Sequence, residues 1–207
     1  MSRCNCCGYR GSFATWNGRR VRCPTCGSKP RHRVVAAVLE RRPHWLEGRN
    51  VLHVAAEKCL RDLIEPAARV YRAPKRCNVL RLRYADEAFD LVLLNHVLQH
   101  VYDDVRALHE LRRVLSPRGV LLLTVPTAGA TSESTNGRET PAERLAKWGH
   151  PGHWRVYGRD NLVVRLMRAE YESAGWDDVR DWRPPPAADK LHRGLVFWAL
   201  VGREVLS

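Results

Sequence analysis

No apolar run in this chain approaches the eighteen or more residues of a membrane-spanning helix. The N-terminal stretch MSRCNCCGYR has no apolar core of the kind a secretory signal carries. Together these absences point away from membrane and export, and a cytoplasmic protein is expected. There is no internal repeat and no low-complexity tract, so a solenoid is excluded. Basic residues are plentiful, but they form no Lys/Arg block and do not alternate with aromatics. The formal charge of +13, most of it from arginine, therefore has two readings. One is a solvated basic surface typical of an arginine-rich proteome. The other is an anionic partner, a charged small molecule before a nucleic acid. Glycine is missing where it would be most expected. In NVLHVAAEKCL, residues 50–60, a short apolar strand runs into a turn and a helix, and the turn contains none.

What is present begins with cysteine. Five of the seven cysteines lie in the first 26 residues. Cys4-Asn5-Cys6-Cys7-Gly8 and Cys23-Pro24-Thr25-Cys26-Gly27 are two C-x-x-C-G knuckles, each aiming two thiolates at one point. Cys4, Cys7, Cys23 and Cys26 together make a soft, tetrahedral donor set that selects Zn2+ and closes the site to chemistry. A disulfide framework fits a cytoplasmic chain poorly. Cys6 is a spare thiol that competes with Cys4 or Cys7 as ligand, and Cys59 and Cys77 read as free buried thiols. Between the knuckles, GSFATWNGRRVR reads as a hairpin turning at Asn17-Gly18.

The remainder alternates strands with helices. Residues 1–28 read as a zinc ribbon and 29–48 as a linking helix, capped by Ser28 with Pro30 in its first turn. Residues 49–207 read as one α/β domain, with a lid or insert at about 127–158. Strands are expected at NVLHVAA, RVYRA, FDLVLLN, GVLLLTVP, WDDVRDW and GLVFWALVGRE. Helices are expected at KCLRDLIEPAA, DDVRALHELRRVLS, Pro141 to Trp148 and RDNLVVRLMRAEYESAG. The fold class is thus α/β, a Rossmann-like, mostly parallel sheet with an antiparallel edge. Ligands bind such sheets at the carboxyl ends of the strands, here Ala55–Glu57, Ala73–Asn78, Asn95–His100 and Pro126 onward.

Several side chains there bear chemistry. His96 and His100 are four apart at the end of a central strand, and either is a candidate proton acceptor. His153, Arg155 and Tyr157 alternate, so they share one face of an extended segment. That face reads as a catalytic or substrate wall with Arg155 for a carboxylate or phosphate, or as an exposed polar face. Glu133 in the long loop reads as a lid residue or a solvated acid.

FDLVLLNHVLQHVYDDVRALHELRRVLSPRGVLLLTVP, Phe89 to Pro126, resembles the central part of a class I S-adenosylmethionine (SAM)-dependent methyltransferase of the methyltransferase-11 type. A subgroup with an N-terminal cysteine ribbon is similar over most of the chain. It shares Cys23–Ser28, Arg31-His32-Arg33, the strand Leu52-His53-Val54-Ala55-Ala56-Glu57, and His153, Arg155, Tyr157, Gly158 and Asp160. The resemblance implies SAM as cofactor, with His53, Ala55, Glu57, Asn78 and Asn95 around it. Glu57 would face the methionine amino group, and Asn78 would stand near the adenine. Four features depart from the family pattern. No acid follows RVYRA to take the ribose hydroxyls, the span from His53 to Asp90 is too short for a helix after the second strand, Asn78 stands where the family often has Asp near the adenine, and Gln99 stands where Glu is usual. Two function classes follow. One is a SAM-dependent methyltransferase acting on an unidentified small-molecule or peptide acceptor, of anionic character if the basic residues line its site. The alternative is a degenerate methyltransferase-like protein that binds nucleic acid or a partner, or that catalyses another reaction in the inherited pocket. A metal-dependent hydrolase lacks a His-Glu-x-x-His ligand set. Nothing in the sequence sets the oligomeric state.

Overall fold

The computed structural model describes residues 2–127, 139–178 and 195–202, together with the backbone of Glu133–Ser134. The expected proline-rich stretch at Pro184–Pro186 and the side chain of Glu133 lie outside the described residues.

Six strands form the main sheet: β1 (Asn50–Val54), β2 (Val70–Arg72), β3 (Phe89–Asn95), β4 (Leu115–Thr124), β5 (Ser173–Asp178) and β6 (Leu195–Leu200). Their spatial order is β5-β6-β4-β3-β1-β2. Strands β2, β1, β3 and β4 run parallel, while β6 pairs antiparallel with both β4 and β5. The expected antiparallel edge is there. Leu91 to Leu94 on β3 are all buried, as continuous apolar strands are when both faces of a sheet are covered. Residues 73–88 form no helix and no strand, in line with the short span before Asp90.

The described residues form five helices, α1 (Pro30–Arg41), α2 (Lys58–Ile64), α3 (Asp104–Arg113), α4 (Pro141–Trp148) and α5 (Arg159–Arg168), of which α1, α2, α3 and α5 pack on the sheet. Leu108 and Leu111 on α3, with Leu162 and Leu166 on α5, pack on one face against Val92, Leu94, Leu121 and Leu123. The other face takes α1 and α2. Val34, Val38, Leu60 and Ile64 join Val51, Leu91, Leu93 and Leu122 there, and so do Cys4, Phe13 and Cys23 of the ribbon. The segment expected only to link is therefore a full layer of the sandwich, with eight consecutive buried residues from His32 to Leu39.

Two local expectations change. α3 stops at Arg113, and Leu115 already pairs with Phe89, because Ser116–Gly119 form an irregularity inside β4 that accommodates Pro117. Ser28 does not cap α1. Lys29 is the N-cap residue, and its amide donates to Nδ1 of His32, while the Ser28 hydroxyl sits 3.1 Å from Cys4 Sγ. No helix among the described residues is long and apolar enough to cross a membrane.

Candidate functional site

The parallel strands converge on Glu57. After β1 the chain turns through Ala55 at φ 52°, a left-handed conformation that normally calls for glycine. Glu57 is the N-cap residue of α2, yet its side chain does not cap. Instead, His32 Nε2 of α1 lies 3.3 Å from Oε1, and His53 Nε2 of β1 lies 3.6 Å from Oε2. Asn95 at the end of β3 donates to Oε1 at 2.6 Å. These contacts are themselves held. Asn95 Oδ1 accepts from the Thr124 hydroxyl at the end of β4, and His53 Nδ1 bonds the Tyr71 hydroxyl of β2 at 2.8 Å. Burial pushes the Glu57 carboxyl up, but the His32 and His53 imidazoles beside it outweigh that and hold the group down to about 2. Glu57 is thus a fixed carboxylate at neutral pH. Oε2 is buried and has no hydrogen-bond partner, so it can still accept from a ligand.

This geometry reassigns three of the residues expected at a cofactor. His53 is fully buried, and both ends of the Asn95 side chain are engaged, so they position Glu57 and do not face a ligand. Asn78 is exposed, and its Oδ1 accepts from the Leu80 amide 3.0 Å away. The carbonyl expected to meet an adenine is spent on its own turn. Ala55 remains at the strand end, exposed and left-handed.

Beside Glu57 opens a cleft of about 470 Å³. Trp16, Asn17, Arg19 and Val21 of the ribbon hairpin form one wall. Lys29, Pro30, Arg31 and Val34 of α1 form the second, and His96 with Thr124–Thr127 form the floor at the ends of β3 and β4. His96 follows Asn95, so the cleft and the Glu57 clamp are built on consecutive residues. Its backbone is left-handed at φ 55°, tied down by its amide to the Thr124 carbonyl and by its own carbonyl to Gln99 Nε2 at 2.8 Å. Burial, and then the Arg31 charge, push its imidazole down to about 3. It is therefore neutral at physiological pH, with a lone pair available. The Lys29 ammonium lies 3.6 Å from the centre of the Trp16 ring. Burial and the neighbouring Arg31 and Arg22 charges push Lys29 down, the mark of an unneutralised positive field. Nε of Arg31 is buried without a partner.

Arg155 and Tyr157 are not a substrate wall. Tyr157 is fully buried, and its hydroxyl donates to Asp104 Oδ2 at 2.9 Å. Arg155 is 7% exposed; its guanidinium donates to the Val101 and Tyr102 carbonyls and lies 3.2 Å from Asp104. Arg165 of α5 completes the set at 3.0 Å from Oδ1. The alternation that put the two residues on one face was read correctly, but that face turns into the protein, where Asp104 of α3 satisfies it. His153 does reach His100, with ring centres 4.9 Å apart, and a third histidine, His150, stands 5.0 Å from His100.

In the ribbon, the Asn17-Gly18 turn joins Ala14–Trp16 to Arg19–Arg22 as expected. Sγ of Cys4 and Cys26 are 3.7 Å apart, and those of Cys7 and Cys23 are 3.6 Å apart. Tetrahedral zinc–thiolate geometry needs roughly 3.8 Å between sulfurs, so the donor set fits. Gly8 and Gly27, at φ 75° and 70°, close each knuckle with an amide to the carbonyl of Cys4 or Cys23. Cys6 stays outside this four-sulfur cluster, and Cys59 is buried 3.1 Å from His32 Nδ1.

Sequence reasoning did not assign roles to Trp16, Arg31, His32, Asp104 or His150. The Arg31-His32-Arg33 motif and the His150-Pro-Gly-His153 spacing were the available signals.

The family model of a methyltransferase domain matches residues 45–123. A demethylmenaquinone methyltransferase of Mycolicibacterium gilvum is 32% identical over 141 residues, which is 63% of this chain and 60% of that protein. A glycine/sarcosine/dimethylglycine N-methyltransferase of Actinopolyspora halophila is 29% identical over 124 residues, 59% of this chain and 20% of that protein. The chain thus spans from 20% to 64% of the length of such relatives. Among solved structures, a Burkholderia thailandensis 1,6-didemethyltoxoflavin-N1-methyltransferase with bound S-adenosylhomocysteine superposes with a TM-score of 0.56 at 16% identity, over 82% of this chain and 78% of that one. The [4+2]-cyclase SpnF superposes equally well, at 0.56 and 16% identity over 94% and 87%. The fold is the Rossmann-like methyltransferase fold, and residues 45–123 are similar to the methyltransferase-domain family.

Proposed function

We propose, from the premise that this is a class I methyltransferase domain, that the chain is a SAM-dependent methyltransferase whose acceptor is an anionic small molecule or peptide bound in the cleft beside His96. The carrying observation is the half-buried, ionised Glu57, held by His32, His53 and Asn95 with its Oε2 still outside hydrogen-bond distance of any donor. The residues fit the methionine end of SAM, with Glu57 taking an ammonium there. No carboxylate occurs from Val70 to Tyr84, so the ribose end would rest on backbone groups and not on an acid. When bound, SAM supplies an electrophilic methyl group on a sulfonium.

The chain's own residues do the rest. Arg31, Lys29 and Arg19 attract an anion, and the exposed Trp16 ring offers a flat apolar surface for its body. His96, neutral and fixed by Gln99, accepts a hydrogen bond from an acceptor hydroxyl or amine and orients it; held down to about 3, its imidazole is too weak a base to keep the proton, which passes to solvent. The ribbon hairpin and α1 wall the cleft on two sides. The four cysteines hold a structural Zn2+ that keeps the hairpin wall in place. The missing ribose acid alone does not favour a degenerate domain, because the clamp on Glu57 is complete.

The test is calorimetric titration with S-adenosylhomocysteine, followed by methyl transfer to a panel of carboxylate- and phosphate-bearing acceptors. Micromolar binding supports the reading, and Arg31→Gln should raise the acceptor KM without altering S-adenosylhomocysteine affinity. No binding at millimolar ligand, in folded zinc-loaded protein, defeats it.

A further inference from the structure

Three histidines from two segments meet beyond the carboxyl end of β3, in a group separate from the cysteine cluster. His100 ends the short 3-10 turn Leu98–His100 that follows β3. His150 and His153 lie in the turn after α4. One ring nitrogen from each lies within 4.8 Å of the other two. The turn is firmly docked. The Trp154 amide donates to the Gln99 carbonyl at 2.9 Å, Arg144 Nε donates to the Pro151 carbonyl at 2.8 Å, and Trp154 packs edge-on against Tyr102. The three rings are therefore brought together by the backbone and are not drifting on a mobile surface.

Their tautomers can be read. His100 Nδ1 donates to the Gly152 carbonyl at 3.1 Å, so its Nε2 carries a lone pair. Such a carbonyl partner is the usual outer support of a metal-ligating imidazole. His153 Nδ1 is buried and has no hydrogen-bond partner. His150 Nδ1 accepts from the Gly152 amide at 3.0 Å, so His150 must release that contact, or turn its exposed ring, to coordinate. Two preset ligands and one adjustable ligand remain a competent set. Zn–N bonds of about 2.0–2.1 Å place tetrahedral nitrogens roughly 3.4 Å apart. The rings need to close by little more than an ångström, within reach of small side-chain rotations.

We propose that His100, His150 and His153 form a second metal site, for a borderline divalent transition metal such as Zn2+. Three imidazoles suit Zn2+, Co2+, Ni2+ or Cu2+ and disfavour Mg2+ or Ca2+. They leave at least one coordination position for water or an acceptor oxygen, unlike the closed four-thiolate set. The bound ion ties the segment after α4 to the end of β3, next to the cleft floor at His96.

Titration of the metal-stripped, reduced full chain with Co2+ separates the two sites, because thiolate coordination gives an intense charge-transfer band and imidazole coordination does not. The expected result is two equivalents per chain, the tighter one with the thiolate band and the second without it. His150→Ala and His100→Asn should each weaken the second equivalent at least tenfold and leave the thiolate band intact, which also reports a folded ribbon. Saturation of the parent chain at one equivalent, or a second equivalent unaffected by both substitutions, overturns the proposal. Neither readout depends on methyl transfer.

Discussion

Tyr157→Phe separates a structural tyrosine from a substrate-facing one. The substitution removes one oxygen and nothing else. That oxygen donates to Asp104 Oδ2 at 2.9 Å, and neither residue is more than 3% exposed. A hydrogen bond to a buried charged acceptor contributes about 1.5–3 kcal/mol. Asp104 would keep its two guanidinium partners, Arg165 at 3.0 Å and Arg155 at 3.2 Å, so the loss should fall at the lower end, about 1.5–2 kcal/mol. For a chain of this size that is a Tm decrease of roughly 3–8 °C. Asp104→Asn should cost more, about 3–5 kcal/mol, because it leaves the buried Arg155 guanidinium and the half-buried Arg165 guanidinium facing a neutral amide. The assay is thermal unfolding in zinc-saturated buffer, paired with S-adenosylhomocysteine affinity and the acceptor KM. Both should be unchanged in Tyr157→Phe at a temperature where the variant is folded. An unchanged Tm with a raised acceptor KM would refute the reasoning and return Tyr157 to the substrate wall.

Glu57→Gln keeps the shape of the clamp and removes its charge. S-adenosylhomocysteine binding should weaken roughly 10- to 100-fold, the equivalent of a charged hydrogen bond, as read by calorimetry. The same carboxyl makes a pH prediction. Its folded pKa is depressed, to about 2, so its stabilisation is complete above the unfolded carboxylate range and is lost as pH falls toward 2. A depression of that size amounts to about 3 kcal/mol as an order of magnitude. The stability difference between the parent and Glu57→Gln should therefore shrink between about pH 4.5 and 2, measured by denaturant midpoints. Chelating the ribbon metal under reducing conditions should release the hairpin wall and increase acceptor KM, followed by zinc release and tryptophan fluorescence. Retention of the parent KM after complete zinc removal would count against a ribbon-built acceptor site.

Periodicity and turn chemistry made much of the architecture legible. The knuckles, the Asn17-Gly18 hairpin, the β3 run and the helix from Pro141 to Trp148 are each set by neighbours in sequence. The bulge in β4 was less visible, because Pro117-Arg118-Gly119 reads as a helix stop and the pairing of Leu115 with Phe89 is a long-range event. The site was legible in part for the same reason. Glu57 could be singled out because it stands at a strand end. The burial of Arg155 and Tyr157 could not, since the residue that satisfies them, Asp104, lies about fifty positions earlier and reads as a helix-start acid. Pattern shows which side chains share a face. Only the partner element decides whether that face meets water, ligand or another charge.

Residues 31–33 show why the ribbon belongs to the site and is not an attachment. Successive helical residues point about 100° apart, so three neighbours at the start of α1 face three directions. Arg31 lines the cleft and His32 holds Glu57. Arg33, fully buried, donates to the Val21 and Ser28 carbonyls at 3.0 Å and lies over the Phe13 ring. The Asn5 side chain donates back to the Arg33 carbonyl at 3.0 Å. One turn of helix therefore fixes the ribbon, the Glu57 carboxylate and one wall of the cleft at once. A shift of the knuckles moves Arg33, and the rigid helix carries His32 and Arg31 with it. The glycine-free turn after β1 is intelligible in the same frame. A conventional site would bring the backbone itself against the ligand. Here the side chain of Glu57 projects instead, and it needs His32 from α1 to hold it in place, so the unusual turn and the unusual N-terminal layer depend on each other.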